Sequence, residues 1–253
     1  MKIDVLTLFP RFLSGIIDWS IIGRAIDDGI LNLNLTDIRD FSNNKHRKVD
    51  DYPFGGGPGM LMTPEPIYNA IKDVKKKTSR VVYLSPQGDV LDQGKINELS
   101  KEEHLILLCG HYEGIDNRIV ENYVDEEISI GDYVLTGGEI PAMVVIDSIT
   151  RLLPGVLKGE ESFSDESHYE GLLEHPQYTR PRVFKGKGVP EVLLSGNHQK
   201  IDEWKKYQSL KNTFVNRPKL LNKVELSIEE EKMLALIKKE LNEKSWIENF
   251  HML

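Results

Sequence analysis

The chain has 253 residues, 40% hydrophobic and 28% charged, with a net charge of −8, a composition that fits one or two globular domains. No apolar run reaches membrane-spanning length, and "MKIDVLTLFPRF" lacks the apolar core and cleavage site of a signal peptide, which leaves a cytoplasmic chain with no membrane partner. The single cysteine, Cys109, excludes an internal disulfide and fits a reducing compartment, and no His/Cys cluster has metal-ligand spacing.

In chain order, Ile3–Leu8 reads as a first strand and Leu31–Ile38 alternates as a half-buried strand should. Thr63 and Pro64 open a helix as N-cap and first helical residue. Arg80–Leu84 and His104–Gly110 are apolar runs of buried parallel-strand type, with short helices predicted in "DQGKINELS" and "IDNRIVENYV". Ile140–Leu153 is helical and apolar nearly all round, so it is buried or lies at an interface. The alternation predicts an α/β fold with a mainly parallel sheet over residues 1–157. Residues 158–170 are acidic and polar and read as a flexible linker. Residues 171–253 read as a small helical domain, with Asn197 capping one helix and "SIEE" (Ser227–Glu230) a capping box for the last.

Charge divides along the same line. Residues 1–170 sum to −12 and residues 171–253 to +4, and His175–Leu220 alone carries ten Lys/Arg against three acids. Such asymmetry points to a polyanion, or to a solvated helical face.

"DDYPFGGGPGM" (Asp50–Met60) is the most unusual stretch. No Lys-Ser/Thr pair closes it, so it is no P-loop; polar loop precedes it, so it is no dinucleotide turn. A plain turn remains, long for no purpose. Three more glycine-bearing stretches each follow or contain a predicted strand: Tyr83–Leu91, Cys109–Arg118 and Ile128–Glu139. In an open α/β sheet ligands bind outside the carboxyl ends of the strands, so the three are expected to share one pocket for a small polar heterocycle.

"FGGGPGM", "YLSPQG", "CGHYEGIDNR", "SIGDYVLTGGE", "RLLPGVL", "GLLEHPQYTRP" and "VLLSGNHQKI" follow one another in this order. Together they resemble the bacterial tRNA (guanine-N1-)-methyltransferases, the TrmD family of the SPOUT class, over almost the whole chain. The resemblance implies methyl transfer from S-adenosylmethionine to N1 of the guanosine just 3′ of the anticodon. It also implies a deep trefoil knot and a homodimer with the active site at its interface, neither of which periodicity or composition indicates.

By motif position the cofactor would touch Tyr83, Leu84, Ser85, Pro86, Gly110, Tyr112, Glu113, Gly114, Ile130, Gly131, Tyr133, Leu135, Gly137, Gly138 and Pro141. The opening loop (Gly55, Gly56, Gly57, Gly59, Met60) would wall the active site, with His46 and Asp50 on the tRNA side. His175, Tyr178, Arg180, Ser195, Asn197 and His198 hold positions that approach the anticodon arm. N1 of guanine carries a proton that a carboxylate must take, while charge builds on O6. Arg151 holds the position of a catalytic arginine; a snorkelling arginine is the plainer reading.

For the base, the family pattern has Asp before Ser-Phe, five residues upstream of the Gly171 equivalent. Here that place holds Glu166, followed by Ser167 and His168, with Asp165 one position earlier. Glu166 is the expected base and Asp165 the alternative. Magnesium enters with the family, but no dedicated ligand cluster is visible. Two other functions stay open: an RNA-binding module that has lost catalysis, and a methyltransferase acting on another RNA.

Overall fold

The computed structural model describes residues 1–17, 20–157, 167–168 and 171–250, with side chains omitted at 16 and 243–250. The chain divides into two compact units, Met1–Gly159 and Glu160–Leu253.

The first unit is built on five parallel strands: β1 (Lys2–Thr7), β2 (Asn32–Asp37), β5 (Ser79–Val90), β6 (His104–Cys109) and β7 (Glu126–Ser129). Their order in the sheet is β2-β1-β6-β5-β7, so β6 enters between β1 and β5. Being central, β6 is buried at every position, which is why "HLILLC" shows no alternation; β2 lies at an edge and alternates. Two short strands, β3 (Asp50–Asp51) and β4 (Leu61–Met62), pair antiparallel outside the sheet.

Successive strand residues point to opposite faces, and each face has its own core. Ile3, Val5, Val82, Leu84, Leu105 and Leu107 pack against α1 (Pro10–Ile17), α2 (Ser20–Asp27), α4 (Gln93–Leu99) and α6 (Glu139–Thr150). Leu6, Val81, Tyr83, Ile106 and Leu108 pack against α3 (Pro64–Val74) and α5 (Asn117–Tyr123). One buried acid interrupts the apolar pattern. Asp4 accepts from Lys2 Nζ (2.6 Å) and Asn34 Nδ2 (3.0 Å) and pairs with His104 Nε2 at 2.6 Å, so its burial is compensated.

The strands and helices that the sequence predicts form near their expected places, but α1, α2 and the short β3–β4 pair were not predicted, and two predicted elements differ in detail. Thr63 occupies the cap position of α3, and Pro64 opens it, but the Thr63 side chain makes no capping hydrogen bond. Strand β5 does not stop at Leu84: it runs to Val90, and its pairing with β7 shifts register between Leu84 and Asp89. The "SPQG" stretch is thus a bulge within a strand, and it lifts Ser85–Gly88 out of the ladder.

In the second unit, α7 (His198–Asn216) is capped by Asn197, whose Oδ1 accepts from Lys200 N at 3.1 Å. The capping box forms as expected at α8 (Ile228–Phe250): Ser227 N donates to Glu230 Oε2 (2.8 Å) and Glu230 N to Ser227 Oγ (3.3 Å). Leu172, Leu210 and Ile237 are its buried centre. Three polar groups of α7 hold the incoming chain: Thr213 Oγ1 accepts from Leu173 N, Ser209 Oγ donates to Leu173 O, and Asn212 Nδ2 to Glu174 O. A small hairpin, β8 (Val183–Phe184) with β9 (Lys187–Gly188), projects from the segment that follows.

Candidate active site

The bulge in β5 and the carboxyl ends of β6 and β7 open into one cleft of about 210 Å³. All fifteen residues assigned to cofactor contact line it, together with Gln87, His111, Ile128, Ser129, Val134 and Thr136. Its backbone is held in uncommon conformations: Tyr112 has φ of +60°, a region that costs a side-chain-bearing residue free energy, and Gly114 and Gly131 have φ of +115° and +150°. Tyr83 lies buried beneath Gly110, where a Cβ would sit 2.8 Å from the tyrosine hydroxyl. Burial, with Glu127 nearby, pushes the Tyr83 phenol up to about 12, so it stays neutral. Gly138 is tighter still, with room for a Cβ only 2.6 Å from Cys109 Cα, and its N–H donates to Gly110 O.

Under the cleft runs a chain of polar contacts between three elements. Glu139, buried in the first turn of α6, accepts from Thr7 Oγ1 at the end of β1 (2.5 Å) and meets His111 Nε2 at 2.7 Å. Phe9 packs edge-on against the His111 ring, 4.7 Å between centroids. A side chain at Gly137 would strike both His111 and Glu139. The pair therefore fixes the loop that carries Tyr112 and Glu113 relative to the start of α6. Cys109, buried beside Glu139, has its thiol pushed well up, first by desolvation and then by that carboxylate.

The "GGGPG" loop lies against the edge of this cleft. Glu113 N donates to Met60 O, and Met62 N to Gly114 O. Gly59 (φ +88°) touches the Glu113 side chain so closely that no Cβ fits between them. Gly55, Gly56 and Gly57 also have positive φ, and Phe54 is wholly exposed. His46 is exposed on the preceding loop, and Asp50 pairs with Met62 in the β3–β4 ladder. The glycines are thus required by a tight, folded loop that abuts the cleft at Glu113.

Arg151 is the C-cap of α6, at the far end of that helix from Gly138 and Pro141. Glu166 and Asp165 lie outside the described residues. Among the described residues, no group of three His, Cys, Asp or Glu comes together to hold a metal ion, and no helix is long and apolar enough to cross a membrane.

Comparison with known proteins bears on the same residues. Residues 1–223 match the family model of the tRNA (Guanine-1)-methyltransferase TrmD. A tRNA (guanine-N(1)-)-methyltransferase of Ruminiclostridium cellulolyticum is 60% identical over 227 residues, covering 88% of this chain and 97% of that protein. One from Staphylococcus carnosus is 55% identical over 245 residues, 96% of this chain and all of that protein. One from Dictyoglomus turgidum is 52% identical over 244 residues, 96% of this chain and 99% of that protein. The chain belongs to the TrmD family.

The TrmD-family match extends past the cleft into the second unit, where the remaining assigned residues lie apart from it in sequence. Tyr178, 47% exposed, and His175 both lean on the Trp204 ring, at 6.2 Å between centroids. Arg180 and His198 are exposed. Ser195 and Asn197 are engaged in local structure: Ser195 Oγ donates to Val192 O, and Asn197 caps α7. Sequence reading missed Trp204 as the support for both rings, and it missed the Thr7–Glu139–His111 chain. His111 stands inside the quoted "CGHYEG" motif; nothing in the spacing pairs it with Glu139, 28 residues away, or Glu139 with Thr7, 132 residues away.

Proposed function

We propose that this chain transfers a methyl group from S-adenosylmethionine to N1 of the guanosine immediately 3′ of a tRNA anticodon. The observation that carries the reading is the cleft, where three glycine-bearing loops from neighbouring parallel strands converge in a chain of the TrmD family. Its donor set fits the cofactor: main-chain N–H and C=O groups of 84–86, 110–114 and 130–138 suit an adenine edge, and Leu84 and Leu135 suit its faces. When bound, the cofactor supplies an electrophilic methyl group.

The protein's own groups handle the proton and the developing charge. Glu166, with Asp165 as the alternative, takes the N1 proton, and the guanidinium of Arg151 stabilises negative charge growing on O6. Helix α6 rises 1.5 Å per residue, so the backbone at Glu139 and at Arg151 is about 18 Å apart. An arginine that far from its own cleft supports a homodimer, in which the cleft of one copy is completed by the Arg151 end of the other. Ile140 and Val144, one turn apart, are 42% and 38% exposed on a helix whose other apolar residues are buried or half-buried, and exposed Asp147 continues their face, which supports the same reading. A trefoil knot is part of the proposal too; its support is the family match. The tRNA substrate sets the chemistry in the cytoplasm.

The test is transfer of labelled methyl groups to an unmodified tRNA, with an adenosine-substituted tRNA as control, by wild type, Glu166→Gln, Asp165→Asn and Arg151→Ala. The expected result is transfer to the guanosine tRNA alone, lost in Glu166→Gln, and lost in Arg151→Ala with cofactor binding intact. Loss only in Asp165→Asn would move the base by one residue. A wild type that binds tRNA and cofactor but transfers nothing would leave an RNA-binding module.

A further inference from the structure

Residues 177–188 form an arm of the second unit in which every residue is exposed. Within it, Val183 and Phe184 pair antiparallel with Gly188 and Lys187. The turn between them is Lys185 (φ +49°) and Gly186 (φ +77°), the two left-handed residues of a tight two-residue hairpin. Phe184 and Lys187 are directly opposite and so share a face, and Arg182, two residues before Phe184, lies on that face as well. Lys185 folds back so that its ammonium lies 5.6 Å from the centre of the Phe184 ring. One side of the hairpin thus presents an aromatic ring, 63% exposed, among three cations. Among the described residues, the acid that pairs with them is Glu191, 3.5 Å from Arg182 and itself almost fully exposed.

A hairpin with two-residue strands has no interior in which to bury a phenylalanine. The ring needs a partner, and the partner must also satisfy the cations. An anionic membrane and an RNA both meet that demand. The surroundings favour RNA, because His175–Leu220 carries ten Lys/Arg against three acids, while the arm offers only one exposed ring on its cationic face. We propose that this hairpin is an RNA-binding element, in which Phe184 stacks on an unpaired base while Arg182, Lys185 and Lys187 hold the phosphates beside it. The choice of tRNA as the RNA rests on the function proposed above; the hairpin's own role is read from binding, not turnover.

The experiment measures equilibrium binding of the full chain to an unmodified tRNA transcript across a range of salt. Wild type is compared with Phe184→Leu and with the double variant Lys185→Gln/Lys187→Gln, and methyl transfer and thermal unfolding are followed on the same samples. Phe184→Leu is expected to weaken binding about tenfold with its salt dependence unchanged, since stacking is lost but no charge. The lysine pair is expected to lower the salt slope by roughly 1.5, about 0.7–0.9 per phosphate contact. If Phe184→Leu also lowers the unfolding midpoint, the lysine pair decides alone. Wild-type affinity and slope in both variants would overturn the proposal while leaving methyl transfer untouched. Binding to anionic vesicles that competes with tRNA and depends on Phe184 would assign the hairpin to a membrane. A wild type that binds through the hairpin yet transfers no methyl group would sink the proposed function and keep this one.

Discussion

At Gly138 a single missing atom shapes the cleft. A Cβ there would lie 2.6 Å from the Cα of Cys109, and main chain at the end of a central strand cannot swing aside as a side-chain tip can. Gly138→Ala is therefore expected to push the start of α6 away from β6, at a cost of about 1–3 kcal/mol, and to lower cofactor affinity by tenfold or more. Calorimetric titration with S-adenosylmethionine checks this; wild-type affinity would mean the helix start does not bound the site. Glu139 makes a second, chemically different case. Glu139→Ala strands the Thr7 hydroxyl and His111 in a buried setting, for about 1–3 kcal/mol of stability. It is also expected to raise KM for the cofactor more than it lowers kcat, because it frees the loop bearing Tyr112 and Glu113. Glu139→Gln can still accept from Thr7 and donate to a neutral His111, so it should recover most of both losses. Equal damage from Gln and Ala would point to the charge of Glu139 rather than its hydrogen bonds.

Elements show where the sequence was readable. Strands β1, β2 and β6 follow from their apolar runs, and the capping residues of α7 and α8 from side-chain chemistry local to a few positions. The continuation of β5 was hidden because Pro86 and Gly88 are strand-breaking residues, tolerated here inside a bulge. The strand order was hidden because nothing along the chain tells β6 to enter between β1 and β5. Asp116 illustrates a local signal with a measurable consequence. It caps α5, accepting from Arg118 N (3.0 Å) and from the Arg118 guanidinium (2.8 Å). The guanidinium first of all, and the backbone amide with it, hold its carboxyl below its ordinary 3.8. A depressed carboxylate contributes stability that is complete above that value and is lost as pH falls through the folded-state value. Asp116→Ala is thus expected to cost about 1 kcal/mol near neutral pH, a difference that closes on acidification below 3.8. Urea unfolding at several pH values tests it, and a gap that persists unchanged in acid would contradict the assignment.

At the scale of the whole molecule, the cleft and the proposed catalytic arginine lie at opposite ends of α6. The motifs named both ends; only the helix between them makes the separation visible. The proposed base, Glu166 or Asp165, lies outside the described residues, so its place rests on the motif alone. If two copies complete each other's sites, two inactive chains can together make an active one. Arg151→Ala is expected to be inactive alone, and Gly138→Ala weak at a cofactor concentration too low to fill its cleft. At that concentration the two are expected to regain turnover when unfolded and refolded together, since half of each mixed dimer then has an intact cleft facing an intact arginine. Mixtures no more active than the separate variants would return Arg151 to its own chain's cleft or remove it from the reaction.

The most direct test of the account is to identify the methylated atom. Unmodified tRNA is incubated with the wild-type chain and S-adenosylmethionine, digested to nucleosides, and the products are separated and weighed. The account predicts N1-methylguanosine, derived from the residue 3′ of the anticodon and absent when that residue is adenosine. Methylation at any other atom or base, or none with both ligands bound, would contradict it.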